Sequence, residues 1–159
     1  MATISFPSEA APALPALSIE VPDDWVQTVY PGALVAVVAP RPEGEFRPNV
    51  IATVTRHEPG FSLAEAQSLL ESELAQLTEA SLRDVAQPTD VSVAKGVAFL
   101  DDEAGTLIQI HVLVVVDQDV CIDLVHVTTS CSAGTISDDE AALDKIIASL
   151  TISRLEAQS

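Results

Sequence analysis

The segment from Gly105 to Ser130 constrains the fold more than any other part of the chain. It contains two long apolar runs that flank the polar tripeptide Asp117-Gln118-Asp119. Apolar runs separated by a short polar break are typical of a β-hairpin, and runs this apolar belong in the buried middle of a sheet. The rest of the chain must therefore supply the layers that cover this hairpin.

The register of the hairpin can be argued from how its side chains segregate. Placing Val116 opposite Val120 across a three-residue turn keeps both faces largely apolar. In this register His111 and His126 point to opposite faces, and Cys121 lies in the strand as a small buried side chain. Because both faces are apolar, we expect helices or loops on both sides of the sheet.

Two helices are predicted from capping signals that precede apolar residues at helical spacing. Ser62 with Glu65 has the spacing of a capping box, and Ser137 with Glu140 repeats it. Further strands are predicted at residues 17–21, 33–39, 49–57, 81–93, 97–100 and 150–154. The pattern indicates an α+β fold with an antiparallel sheet. Residues 1–15 form an irregular lead-in, and residues 16–155 form a single domain.

The charge balance excludes several classes of partner. Twenty-four Asp and Glu face seven Lys and Arg, for a formal net charge of −17. Such a surface repels nucleic acid and anionic membranes. The longest apolar run, Val112 to Val116, is too short to span a bilayer, and no signal peptide is evident. Two cysteines do not make a disulfide framework, so we expect a cytoplasmic protein.

Five features in this order resemble the PsbP-like family, which includes the LpqN and LpqT lipoproteins, a Ran-binding nuclear import factor and Eag-type secretion chaperones. They are Val-Pro-Asp-Asp-Trp at 21–25, Asn49-Val50-Ile51, the helix at Ser62, Gly96-Val97-Ala98, and Ala148-Ser149-Leu150. The resemblance implies a sheet of about six strands sandwiched between helices. It also implies a non-enzymatic binding module, and the Eag-type branch implies an intracellular adaptor associated with secretion. Unlike the lipoproteins, this chain has no lipidation cysteine.

The residues that could ligate a metal or cofactor lack the necessary spacing. Cys121, Cys131, His57, His111 and His126 include no close pair of the kind that zinc sites use. No glycine-rich phosphate loop occurs either. We therefore predict no metal and no cofactor.

A polar site on one sheet face is the best candidate for chemistry. In the predicted register, His111 lies diagonal to Asp123, and Ser130, Cys131 or Ser132 lies near the end of the hairpin. A nucleophile needs its base within hydrogen-bond reach, and these residues are several positions away. A histidine that is hydrogen-bonded to a carboxylate is the simpler interpretation, so no catalytic residue is predicted.

The segment from Pro40 to Pro48 is the best candidate for partner binding. It presents Arg41, Phe46 and Arg47 on a proline-rich loop of an otherwise acidic chain, and Trp25 is the other large aromatic considered. Stiff loops with arginine and aromatic side chains lose little entropy on binding. The alternative is that Phe46 and Trp25 pack on the core and the arginines balance local carboxylates.

These observations support three hypotheses of different classes. The leading hypothesis is a non-catalytic intracellular binding or adaptor module with a protein partner. The second is a small-ligand or lipid carrier with a pocket between sheet and helix. The third is a hydrolase that uses His111.

Overall fold

The computed structural model describes residues 1–86 and 92–156. In chain order these residues form β1 (Ala16–Ser18), β2 (Val26–Gln27), β3 (Ala33–Val38), β4 (Asn49–His57), α1 (Leu63–Leu74), β5 (Ser81–Asp84), β6 (Ser92–Asp101), β7 (Gly105–Asp117), β8 (Ile122–Ser132), α2 (Ile136–Ala148) and β9 (Thr151–Ser153). The α+β class is confirmed. The strands predicted at 33–39 and 49–57 are β3 and β4, each within one residue.

Seven strands form one antiparallel sheet in the order β2-β3-β4-β8-β7-β6-β5, while β1 and β9 pair as a separate ribbon. The expected number of about six strands was therefore too low. The short edge strand β2 was not among the predicted strands, and β6 runs unbroken to Asp101 where two segments had been predicted. Residues 87–91 of the predicted strand at 81–93 lie outside the described residues.

The central position of the hairpin is confirmed. Strands β7 and β8 occupy the middle of the sheet, and Val112, Val125 and Val127 are completely buried. Complete burial of one such side chain contributes roughly 1.5–3 kcal/mol. This pair of strands is therefore the main apolar support of the fold.

The predicted register of the hairpin was wrong. Val116 lies opposite Asp123, three residues beyond the expected partner Val120, so the faces of β8 are exchanged relative to β7. The turn spans residues 118–121, and Asp119 adopts φ 69° while its N–H donates to Asp117 Oδ1 at 2.8 Å. Cys121 therefore lies in the turn rather than within the strand, although it is buried.

The observed register depends on an ion pair across β4 and β8. Both carboxylate oxygens of Asp123, which is fully buried, accept from the Arg56 guanidinium at 2.8 Å, and Gln118 Nε2 donates to Asp123 at 3.0 Å. Burial raises the pKa of Asp123, but the hydrogen bonds from Arg56 and Gln118 outweigh burial and hold it below its usual value. The register predicted from the apolar pattern alone did not account for a charged side chain buried on this face.

The two helices begin differently. In α1 the predicted capping box is confirmed: Glu65 N–H donates to Ser62 Oγ at 3.1 Å, and Ser62 N–H donates to Glu65 Oε2 at 2.8 Å. The predicted box of α2 was wrong, because Thr135 is the N-cap residue. A turn closed by Thr135 N–H to Ser132 O starts the helix at once, so Ser137 already lies in its first turn.

The sheet has two faces with separate apolar clusters. The α1 face carries the buried side chains that α1 covers, namely Val93, Val97 and Leu113 with Ala66, Leu70 and Leu74. The α2 face carries the larger cluster, which includes Val50, Ala52, Val112, Val125 and Val127 with Leu143 and Ile146. One helix on each face meets the expectation that both faces are covered.

We predict that Arg56→Met lowers the free energy of unfolding by about 3 kcal/mol, because Asp123 would keep a buried charge without its counterion. Urea denaturation monitored by circular dichroism measures the change. Arg154→Met is the control, since Arg154 pairs with the exposed Asp119 and its loss should change the free energy of unfolding little. Equal losses in the two variants would contradict the role assigned to Asp123.

Candidate functional site

The loop from Pro40 to Pro48 is fastened at its base and to helix α2. Ala39 N–H donates to Pro48 O at 2.8 Å, and Glu45 N–H donates to Pro42 O at 3.2 Å. The Arg41 guanidinium forms an ion pair with Asp139, a buried residue in the first turn of α2. The loop is thus held in one conformation, as a preorganised contact surface requires.

Arg41 and Arg47 have different surroundings on this loop. The Arg41 side chain is occupied by contacts within the chain, because it pairs with Asp139 and also donates to Pro40 O at 2.7 Å. Arg47 is exposed, and within residues 1–86 and 92–156 it forms no ion pair. Of the four predicted partner-binding residues, Arg47 is the one that presents an unpaired charge.

The two aromatic side chains predicted to contact a partner, Phe46 and Trp25, are only partly exposed. Phe46 is partly buried, and Trp25 packs against the apolar cluster of the α2 face. The alternative interpretation, in which Trp25 supports the core, describes its position. A contact of Phe46 or Trp25 with a partner stays a prediction.

A hollow of about 340 Å³ lies beside Arg47, between the loop and the edge strand β2. Its lining residues are Val26, Gln27, Thr28, Val38, Ala39, Pro40, Arg41 and Arg47. Three side chains of the segment 26–30 are exposed: Val26, which lines the hollow, at 58%, and Val29 at 93% and Tyr30 at 53% further along the chain. We call Arg47, this hollow and these three side chains the Arg47 surface. The segment 26–30 was not predicted as a binding surface, although its Val and Tyr residues lie beside turn signals.

The predicted polar site of His111 and Asp123 does not exist as such. His111 faces Thr128 on the α1 face, whereas Asp123 lies on the α2 face with Arg56. The corrected register places them on opposite sides of the sheet. Cys131 also lies on the α2 face, and burial, with nearby Asp139 and Glu140, raises the pKa of its thiol to about 11, so the thiol is protonated at neutral pH.

The same correction brings His111 and His126 together. His111 Nδ1 lies 2.8 Å from His126 Nε2, and the Thr128 hydroxyl oxygen lies 3.3 Å from both nitrogens. Gln109 extends this cluster, because its Oε1 lies 2.9 Å from His111 Nε2 and its Nε2 donates to Ser130 Oγ at 3.0 Å. We call these five side chains the histidine cluster.

The hydrogen-bond acceptors in the histidine cluster determine which ring nitrogens carry protons. Gln109 Oε1 can only accept, so His111 carries its proton on Nε2 and has a free lone pair on Nδ1. His126 Nε2–H then donates to that lone pair. Burial and the adjacent His126 lower the pKa of His111 to about 4, and burial lowers the pKa of His126 while nearby Glu73 partly opposes this. Both rings are therefore neutral at neutral pH.

A groove of about 710 Å³ lies between α2 and the α2 face. Its floor is apolar, with Ala94, Ile108, Ile110 and Val112, and its lining also includes Arg83 and, on α2, Glu140 and Asp144. The Arg83 side chain lies over Gly96, where an added Cβ would come within 2.7 Å of it. Arg83 is therefore held against the sheet.

Two further properties concern the described part of the chain. In residues 1–86 and 92–156 no three His, Cys, Asp or Glu side chains are grouped as a metal site. Neither α1 nor α2, the helices of that part, has the length and apolarity to cross a bilayer.

No family model and no curated protein sequence matches this chain. Its fold does match solved structures. LpqN, involved in cell envelope biogenesis of Mycobacterium tuberculosis, has a TM-score of 0.73 at 15% identity, covering 89% of this chain and 86% of that one.

A mutant of protein Mog1 has a TM-score of 0.57 at 15% identity, with 87% of this chain and 92% of that chain covered. The Saccharomyces cerevisiae Ran-binding protein Mog1p has a TM-score of 0.52 at 17% identity, with coverage of 86% and 89%. At such identities the likeness shows a shared fold. That fold is the one which the sequence resemblance implied.

We predict that the histidine cluster makes stability depend on acidity. An unfolded histidine binds protons below about pH 6.5, whereas His111 in the fold resists protonation down to about pH 4. Its contribution is therefore complete above pH 6.5 and is lost as the pH falls from 6.5 to 4, by about 3 kcal/mol. Urea unfolding between pH 7 and pH 4 should show a shallower loss for His111→Gln than for wild type. Parallel curves for the two proteins would contradict this.

Proposed function

We propose that this chain is a non-catalytic binding module that engages a protein partner through the Arg47 surface. The observation that carries the proposal is the Arg47 guanidinium, which forms no ion pair with residues 1–86 or 92–156, on a fastened loop of a chain with net charge −17. The proposal also places the module in the cytoplasm as an adaptor, in keeping with two free, buried cysteines.

The distribution of arginine pairing supports this choice of surface. Of the five arginines, Arg41, Arg56 and Arg154 form ion pairs with Asp139, Asp123 and Asp119. Arg83 has no such pair among the described residues, but it is packed over Gly96. Arg47 and Arg83 are both exposed beside a hollow, but Arg47 lies on the fastened loop, whereas the Arg83 side chain is packed against the sheet.

The chemistry of the Arg47 surface suits a protein contact. Arginine and tyrosine are enriched at the centres of interfaces, where a few side chains provide most of the binding free energy. Here Arg47 and the exposed Val26 line one hollow, and the segment that follows Val26 carries the exposed Val29 and Tyr30. The Ran-binding protein among the structural neighbours shows that this fold is compatible with a protein partner.

The experiment is capture of partners from a native lysate on immobilised wild type and Arg47→Glu. Loss of an anchoring arginine costs about 2 kcal/mol, so the variant should retain its partner roughly 30-fold more weakly. Lys145→Glu, which makes the same change of charge on α2, is the matched control and should behave as wild type. Phe46→Ala tests the aromatic contribution. An identical set of captured proteins on wild type and Arg47→Glu removes the Arg47 surface from the proposal.

A second candidate function, a small-ligand or lipid carrier, rests on the groove beside α2. Its floor is apolar, and its volume of about 710 Å³ is within the usual range for ligand sites. Native mass spectrometry after gentle purification should then show a bound small molecule on wild type that is lost from Ile147→Gln, whose side chain lines the groove. The same mass in both proteins, or none in either, counts against a carrier.

A further inference from the structure

We propose that the histidine cluster is a binding site for a divalent transition metal such as zinc, held by His111 Nδ1, His126 Nε2 and water or Thr128 Oγ1. The site is separate from the Arg47 surface and does not depend on the proposed function. The sequence analysis predicted no metal because the Cys and His residues lack close spacing, and the predicted register also turned His111 and His126 to opposite faces.

The first argument is the geometry of the three donor atoms. The two nitrogens are 2.8 Å apart, and the threonine oxygen is 3.3 Å from each. Zinc bonds of about 2.0–2.1 Å in a tetrahedron require neighbouring donors at about 3.3 Å. The distances from the threonine oxygen to the two nitrogens already match this value. The distance between the two nitrogens must increase by roughly half an ångström.

The second argument is the support behind the ligands. A metal-binding histidine usually donates its other ring N–H to a carbonyl, which fixes the tautomer and the ring. His111 donates Nε2–H to the Gln109 side-chain carbonyl, and Ser130 orients Gln109 in turn. The lone pair on His111 Nδ1 is thereby left free to accept from His126 Nε2 or to bind a metal.

The third argument concerns protonation and access. In the hydrogen bond between the two rings His126 Nε2 carries the proton, so metal binding requires only that His126 carry this proton on Nδ1 instead. His126 and Thr128 are partly exposed, so an ion can reach the cluster and retain water.

The surrounding charges tolerate a cation. Lys95 pairs with His111 across β6 and β7, but its ammonium is neutralised by Glu71 at 2.9 Å and Asp84 at 2.5 Å. Glu73 of α1 is close enough to favour positive charge at His126. The field at the site is therefore not repulsive.

The test is isothermal titration of the full, untagged chain with Zn²⁺, and with Mg²⁺ to measure binding by surface carboxylates. Wild type should bind one Zn²⁺ that excess Mg²⁺ does not displace. His126→Gln should lose this site, and His57→Gln, which removes a histidine stacked on Phe61, should keep it. Gln109→Met should bind roughly tenfold more weakly, because only the supporting hydrogen bond is lost.

A spectroscopic measurement keeps the proposal testable if a variant folds poorly. Paramagnetic resonance of wild type with one equivalent of Cu²⁺ should show coupling to two imidazole nitrogens, and His57→Gln should show the same pattern. Zinc affinity unchanged in His126→Gln, binding that Mg²⁺ displaces fully, or coupling to fewer than two nitrogens in wild type would overturn the assignment.

Discussion

The pairing of β7 with β8 determines which side chains meet in this protein. Its register is fixed by burial of apolar residues on both faces and by one charge, Asp123, which must lie beside Arg56. A one-residue slip would move every side chain of β8 to the other face. The carboxylate would then enter the α1 face without a counterion. The ion pair therefore selects the register, while the valines supply most of the stabilisation.

The sequence was sufficient for the class of fold, the central hairpin and helix α1. Each of these has a strong local signal: long apolar runs for the hairpin, and the Ser62–Glu65 capping box for the helix. Strand β2 has only two residues, too few to show a periodicity, so it was not predicted as a strand. Helix α2 shows that a spacing of serine and glutamate is not enough, because its N-cap is Thr135 and Ser137 already lies within the helix.

The candidate sites were less predictable because they depend on long-range geometry. The partner of Arg41 is Asp139, 98 residues away, and no local pattern connects them. The error at His111 arose differently: segregation by hydropathy treated Asp123 as a residue for the more polar face, whereas a paired carboxylate can be buried. A search for a basic partner of Asp123 could have corrected the register and revealed the histidine cluster.

The ribbon of β1 and β9 has a consequence for how this domain can be joined to others. Ala16 pairs with Ser153, so the backbone enters and leaves the folded unit at neighbouring points. Adjacent entry and exit points allow a domain to be inserted into a host protein or circularly permuted with a short linker. Anything attached before the first strand or after the last one is therefore delivered to the same corner of the molecule.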